Sequence, residues 1–205
     1  MGYDVFSDAE AGSRIEFGSV SLTVQDAVTT VGKICSRPDT LYSYTRTRVA
    51  CVEGKPAGTL TAYSGDDYQP LRNFTWGLID SALDGTSSQV ASPEAETLSE
   101  NAASSGIQNS EQECLPGEFY LDSMAILPEF RGMTFEYAGS TDRIGHLLML
   151  DGISVGRAKG FHRISLIVDK VKPRLFAYYS ALGFRPDGEI LFFGHLYDRM
   201  ILDLA

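Results

Sequence analysis

The second half of the sequence alternates between strand-like apolar runs and helix-like segments, which strongly limits its possible folds. Residues 119–127 form an apolar run that Pro128 ends, and a helical pattern follows over residues 140–159. A second, almost continuous apolar run occupies residues 163–168. A strand, a helix and a strand in succession predict two parallel strands joined by a crossover helix. The sequence therefore predicts an α/β fold with a parallel strand pair at its centre.

The helices of this half have recognisable ends. Residues 140–142, Ser-Thr-Asp, offer N-caps for the first helix, which we expect to run to about Lys159. Pro173 suits the first turn of the next helix, and Gly183 suits its end. Helices are also expected over residues 22–35 and 71–83. A hairpin is expected over residues 48–63, and a final pair of strands over residues 189–204. Together they predict a mixed central sheet of about six to seven strands flanked by helices, of the α+β type.

The acidic residues are concentrated in one part of the chain. The formal net charge is −10, and residues 73–130 contain acidic side chains but neither Lys nor Arg. Within this stretch, residues 81–117 are rich in Ser, Ala, Glu, Gln, Asn and Gly. Such a composition buries too little apolar surface to offset the entropy of ordering the chain. We expect a polar acidic insertion between the third and fourth strands; an acidic lid over a cationic substrate is the alternative.

Composition limits the partners and the compartment. The acidic balance excludes a general nucleic-acid binder, because duplex affinity depends on Lys and Arg. The longest apolar runs are far shorter than the roughly 20 residues that span a bilayer, so we expect no membrane partner. The start of the sequence lacks the pattern of a signal peptide, and Cys35, Cys51 and Cys114 show no metal-type spacing. These features predict one cytoplasmic domain over residues 1–205, without a metal.

One segment has the elements of a phosphate site. Arg131 and Gly132 follow the strand that ends at Pro128, and residues 143–145, Arg-Ile-Gly, come where the helix is expected to start. Helix N-termini present free N–H groups and the positive end of the helix dipole to an anion. A surface turn beside a helix cap is the alternative, because such short Arg-Gly pairs are common.

Two longer motifs resemble a known family. Residues 121–132, LDSMAILPEFRG, and residues 144–148, IGHLL, look like the acyl-CoA-binding motif of the GNAT superfamily of N-acyltransferases. Residues 172–184, KPRLFAYYSALGF, are similar to a later GNAT segment that places a Tyr four residues before Gly-Phe. The hairpin at residues 49–58 is also typical of the superfamily. This chain departs from the pattern through nine extra residues, 134–142, after which Arg143 replaces a glycine of the family's phosphate loop.

The resemblance implies a fold, an activity and a cosubstrate. It implies a GNAT-like enzyme that transfers an acetyl group from acetyl-CoA to the primary amine of a small molecule or peptide, as a monomer or homodimer. Backbone groups of the strand would pair with pantetheine, and the turn would hold pyrophosphate. The residues implied for acetyl-CoA binding are Met124, Ala125, Ile126, Arg131, Gly132, Arg143, Ile144, Gly145, Lys172 and Tyr179. A non-catalytic module of the same fold, binding CoA or another ligand, is the alternative function.

Two residues are candidates for proton transfer. Tyr179 matches the family's proton donor to the leaving thiolate, although a packing role is the alternative, and its neighbour Tyr178 is expected to pack. Asp122, on the strand beside the acyl site, is the candidate base, since a half-buried carboxylate can have a raised pKa. A solvated or hydrogen-bonded aspartate is the alternative, with Glu118, Tyr120 or a water chain as other routes for the proton. His146 is expected to face solvent.

Overall fold

Ten strands and four α-helices make up the part of the chain that the computed structural model describes, which is residues 14–17, 20–84, 112–192 and 194–204. The strands are β1 (Arg14–Phe17), β2 (Val20–Thr23), β3 (Thr47–Val52), β4 (Lys55–Ser64), β5 (Phe119–Ile126), β6 (Thr134–Tyr137), β7 (Ser140–Arg143), β8 (Arg163–Asp169), β9 (Arg185–Phe192) and β10 (His195–Asp203). The helices are α1 (Val24–Cys35), α2 (Gly65–Asp84), α3 (Ile144–Ala158) and α4 (Pro173–Ala181).

A six-stranded mixed sheet forms the centre of the fold. Its strand order is β3-β4-β5-β8-β10-β9. The pair β5 and β8 is parallel, and the other neighbours in this sheet are antiparallel. Helix α3 connects β5 to β8, so the predicted strand–helix–strand crossover and the mixed sheet are both confirmed. The pairs β1–β2 and β6–β7 form two small antiparallel sheets of their own.

The sheet has a different core on each face. On one face, α3 packs so closely that a Cβ added at Gly152 would lie 2.6 Å from Leu60, and one at Gly156 would lie 2.5 Å from Ile164. Glycine is therefore required where this helix meets the sheet. The other core is rich in tyrosine, and its buried residues are Leu41, Tyr63, Tyr68, Cys114, Tyr120, Ile167, Ile190, Phe192 and Tyr197.

The start of α3 differs from the sequence expectation. Residues 140–142 are part of strand β7 rather than N-caps, and the N-cap of α3 is Arg143, which makes no side-chain capping hydrogen bond. The cause is the nine-residue excess, which pairs with itself as the β6–β7 hairpin. Its turn uses Ala138 and Gly139, both with positive φ. The nine extra residues that interrupt the expected phosphate loop thus form a hairpin.

The expected insertion is narrower than the composition suggested. Helix α2 begins at Gly65 instead of residue 71 and continues through residues 81–84. Residues 85–111 lie outside the described part of the chain, so the expected surface segment is untested there. Glu113 and Cys114 were assigned to the solvated insertion, but both are buried. The apolar and tyrosine side chains around them supply the contacts that composition alone does not reveal.

Candidate active site

A cleft opens where the two parallel strands separate. Strands β5 and β8 pair only at Phe119 with Ile164 and at Tyr120 with Ser165. Beyond these positions, a cleft of about 490 Å³ lies past the end of β5, between the start of α3 and α4. The residues that line it are Met124, Ile126, Phe130, Arg131, Gly132, Asp142, Arg143, Ile144, Gly145, His146, Leu175 and Tyr178. The diverging strands therefore give access to the edge of β5.

Most of the residues expected to bind the cosubstrate lie together in this cleft. Met124, Ile126, Arg131, Gly132, Arg143, Ile144 and Gly145 are all part of its lining. Ala125, and Lys172 at the N-cap of α4, lie outside the described lining of the cleft. The motifs thus predicted correctly that two segments distant in sequence meet at one cleft. They did not predict correctly that every residue of the motifs lines its wall.

The turn after β5 and the residues before α3 form one wall of the cleft. Gly132 has a φ of 78°, which favours glycine in the turn. Arg131 donates from Nε to the carbonyl oxygen of Ile126 at 3.1 Å, which holds this turn against the end of β5. Asp142 accepts a hydrogen bond from the backbone N–H of Arg143 at 2.7 Å. The Asp142 carboxylate therefore already accepts one of the backbone N–H groups beside the start of α3.

His146 and Tyr178 connect α3 with α4 across the cleft. The hydroxyl oxygen of Tyr178 lies 3.1 Å from Nδ1 of His146, and Nε2 of His146 lies 3.7 Å from a carboxylate oxygen of Asp142. Burial raises the pKa of Tyr178 to about 12. His146 is therefore partly exposed within the cleft, and Tyr178 packs against the core as expected while its hydroxyl also reaches the cleft. The signal for Tyr178 was its spacing of three residues from Leu175, which puts both on one helix face.

Tyr179 occupies a more enclosed position than its neighbour. Its ring packs against Tyr178 at 5.3 Å and against Phe184 at 6.1 Å between centroids. Burial raises the pKa of its hydroxyl, so the side chain carries a proton at neutral pH. Tyr179 lies outside the described lining of the cleft. Contacts of an acid or base with its substrate often form only in the complex, so its proposed role as proton donor stays a prediction.

Asp122 lies at an irregularity of β5. Ala62 pairs with Leu121 and Thr61 pairs with Ser123, so Asp122 is the extra residue of a β-bulge. Bulges redirect side chains and are common beside active sites. The Tyr63 hydroxyl donates to the Asp122 carboxylate at 3.1 Å, and burial raises the pKa of this carboxyl. Asp122 therefore has the raised proton affinity of a candidate base, but it lies outside the described lining of the cleft, and its role as the base stays a prediction.

Glu113 is a second buried carboxyl group on this side, and the sequence did not single it out. It accepts hydrogen bonds from the hydroxyls of Tyr120 at 2.7 Å and Tyr68 at 3.2 Å. Burial, followed by the charge of Asp122, raises the pKa of Glu113 to about 7. The other candidate bases are already engaged, since Tyr120 donates to Glu113 and Glu118 forms an ion pair with Arg199.

Two further observations concern metals and membranes. Over residues 14–17, 20–84, 112–192 and 194–204, no group of three or more His, Cys, Asp or Glu side chains has the arrangement of a metal site. Among the helices of the same residues, none combines the length and the apolarity needed to cross a membrane.

Comparison with known structures identifies the fold. An acetyltransferase structure aligns with 90% of this chain and 83% of its own, with a TM-score of 0.63 and 23% sequence identity. An N-acetyltransferase from Staphylococcus aureus Mu50 aligns with 88% of this chain and 82% of its own, with a TM-score of 0.62 and 20% identity. No family model and no curated protein sequence matches the chain at a significant level. The structural likeness confirms the GNAT fold that the two motifs indicated.

Proposed function

We propose that this protein is an N-acetyltransferase that uses acetyl-CoA and a primary amine of a small molecule or peptide. The observation that carries the proposal is the cleft beside the separated strands, which brings Arg131, Gly132 and Gly145 together at the start of α3. Guanidinium groups and a helix N-terminus are suited to bind phosphates. The exposed edge of β5 at Met124 and Ile126 is suited to pair with the extended pantetheine amides.

The proposed reaction needs one proton acceptor and one proton donor. The nitrogen of the neutral amine forms a bond to the thioester carbonyl carbon, and Asp122 takes a proton from that nitrogen as the bond forms. The carbon–sulfur bond breaks with its electron pair on sulfur, and Tyr179 donates a proton to that sulfur. A backbone N–H of residues 124–126 stabilises the charge that develops on the carbonyl oxygen. The products are an amide and CoA, so no other reactant is needed.

The two faces of β5 support this division of roles. Met124 and Ile126 lie against the core beneath α3, whereas Asp122 bonds to Tyr63 of the tyrosine-rich core. The acetyl donor would therefore approach from the α3 side and the amine from the tyrosine side. A non-catalytic CoA-binding module is the second candidate, favoured by Asp142, whose carboxylate bonds to an N–H beside the proposed phosphate site.

Calorimetry with acetyl-CoA, followed by a thiol-release assay with a panel of amines, tests the proposal. We expect a dissociation constant on the order of micromolar and amine-dependent release of CoA. Absence of binding at millimolar acetyl-CoA would contradict both candidate functions. Binding without turnover of any amine would contradict the enzyme and support the binding module. Arg131→Ala is the matched variant for the phosphate contact, and it should weaken binding without changing the fold.

A further inference from the structure

A second cavity lies beside the β6–β7 hairpin. It is separate from the cleft that we propose to bind acetyl-CoA, which is called the cofactor cleft from here on. The second cavity has a volume of about 350 Å³ and lies between edge strand β3, strand β6 and helix α3. This volume falls within the usual range of small-molecule pockets. The sequence motifs gave no indication of it, because the nine extra residues that form its outer wall were expected only to interrupt the phosphate loop.

The walls of this cavity are mainly apolar and aromatic. Leu147 and Leu148 of α3 are buried and form its inner wall. Phe135 and Tyr137 of β6 form its outer wall, and Tyr137 is 53% exposed. A bidentate ion pair between Arg48 and Asp151, at 2.7 and 3.1 Å, closes one end. A partly enclosed space with an apolar wall and an exposed aromatic ring is suited to hold a small organic body.

The charges around the cavity favour a cation. Arg48 is neutralised by Asp151, which also accepts a hydrogen bond from the Tyr137 hydroxyl at 3.4 Å. Glu53 and Glu136 also line the cavity, are exposed, and form no ion pair within the described part of the chain. The lining thus has an excess of two carboxylates beside two aromatic rings. Aromatic faces attract ammonium groups, and neighbouring carboxylates add to this attraction.

The hairpin that forms this cavity also forms the cofactor cleft. Phe135, Glu136 and Tyr137 of β6 line the cavity, while Asp142 and Arg143 of β7 line the cleft. Ile144, the first residue of α3, contributes to both. A ligand in the cavity would therefore contact one strand of the hairpin, and a phosphate in the cleft would contact the other.

We propose that this cavity is a second ligand site, and that it binds an organic ammonium ion with an apolar or aromatic body. The proposal is independent of the proposed acetyltransferase activity, because no residue assigned to acetyl transfer forms the binding surface except the shared wall at Ile144. The ammonium group lies against the ring of Tyr137, and the exposed carboxylates of Glu53 and Glu136 attract it through the net negative charge of the lining. The apolar body packs against Leu147 and Phe135.

Benzyltrimethylammonium is the probe for a direct test with the full chain, because its quaternary nitrogen cannot be acetylated. Phenylacetate is the matched anion with the same ring. Titration followed by amide chemical shifts should give a dissociation constant on the order of millimolar for the cation. We expect the shifts to be confined to residues 48–53, 134–137 and 147–151. Equal binding of the anion, or shifts centred on the cofactor cleft or on Asp122, would overturn the proposal.

Two substitutions make the test specific. Glu136→Gln removes one carboxylate from an exposed position and should weaken binding of the cation about threefold or more. Tyr137→Ala removes the exposed aromatic ring and should weaken binding of the cation about tenfold or more, while Tyr137→Phe keeps the ring and should bind nearly as the wild type does. Unchanged binding in Tyr137→Ala, or no binding of the cation to the wild type at tens of millimolar, would also overturn the proposal.

Discussion

Adjacent residues of α4 have different surroundings, and this difference separates two roles. Tyr178 presents its hydroxyl to the cleft and to His146, whereas Tyr179 is enclosed by aromatic rings. Burial raises the pKa of both hydroxyls. The first position is suited to bind a substrate. The second is suited to retain a proton until a strong base, such as a departing thiolate, is close.

Single substitutions of the two tyrosines should therefore change different kinetic constants. We expect Tyr179→Phe to lower kcat by about 100-fold or more, the usual contribution of a general acid, with little change in KM for acetyl-CoA. Tyr178→Phe should raise that KM several-fold and leave kcat within about twofold. Steady-state kinetics of thiol release measures both constants. A loss of kcat confined to Tyr178→Phe would reverse the assignment.

Glu113 gives the fold a stability that depends on pH. The usual pKa of 4.5 applies to the unfolded chain, and the pKa is about 7 in the folded state. Between these values the folded state binds more protons, so the free energy of unfolding falls as pH rises through this window. Each unit of pKa difference corresponds to about 1.4 kcal/mol. Glu113→Gln, which mimics the protonated group, should reduce this fall.

Urea unfolding of the wild type and Glu113→Gln across this pH window measures the effect. Asp122 contributes in the same direction, because burial also raises its pKa, so the slope should become smaller but not zero. Glu129→Gln, at an exposed carboxylate, is the control and should keep the wild-type slope. Identical slopes for all three proteins would show that Glu113 ionises normally in the folded state.

At the scale of elements, the β6–β7 hairpin is where this chain departs most from the GNAT motif that its sequence resembles. Sequence reasoning identified Arg131, Gly132, Arg143 and Gly145 as one site, because the motif fixes which strand end meets which helix start. It could not show that the extra residues pair with each other. Hairpin pairing depends on turn geometry at Ala138 and Gly139 rather than on any apolar periodicity.

The position of Asp142 at the end of this hairpin leads to a prediction about affinity. Its carboxylate accepts the N–H of Arg143 and lies 3.7 Å from His146, in the cleft where the cosubstrate phosphates are proposed to bind. Like charges repel, so this carboxylate opposes the binding of phosphate. Asp142→Asn should therefore lower the dissociation constant for CoA about three- to tenfold, or about 1 kcal/mol.

Calorimetry with CoA on a matched pair of variants checks this effect. Glu136→Gln removes the same charge from the same hairpin, but from the strand that lines the other cavity. We expect its affinity for CoA to change by less than about twofold, because exposed charges are strongly screened. If Asp142→Asn binds CoA more weakly than Glu136→Gln, Asp142 supports the phosphate site instead of opposing it.

For the whole molecule, the sequence was most informative where strong periodicity and motifs coincided. The crossover from β5 through α3 to β8 was predicted correctly, since continuous apolar runs and helical spacing are local signals. The burial of Glu113 and of the Glu118–Arg199 pair was not predicted. Both depend on partners elsewhere in the sequence, whose side chains form hydrogen bonds or ion pairs with these charged groups. Without such partners, charged groups would be expected to lie in solvent.

The Glu118–Arg199 ion pair joins the start of β5 to β10, and Arg199 also pairs with Asp187 of β9. Arg199 and Glu118 are almost fully buried. Arg199→Met would leave the buried Glu118 carboxylate with the Leu115 N–H at 3.0 Å and the Arg163 guanidinium at 3.9 Å as its remaining partners. We therefore expect a loss of about 3 kcal/mol in the free energy of unfolding, the lower end of the range for breaking a buried pair. Urea unfolding measures this loss. Asp39→Asn, which removes the charge from the exposed pair with Arg37, is the control and should change stability by less than about 1 kcal/mol.

The double variant distinguishes a buried charge from lost packing. Adding Glu118→Gln to Arg199→Met removes the buried charge that has lost its closest partner, so part of the lost stability should return, as double-mutant cycles show for residues in direct contact. The pair lies at the start of β5, whereas Met124 and Ile126 at its other end line the cofactor cleft. Folded protein of each variant should therefore bind CoA as the wild type does. Additive losses would show that Arg199 stabilises the sheet through its packing instead of its charge.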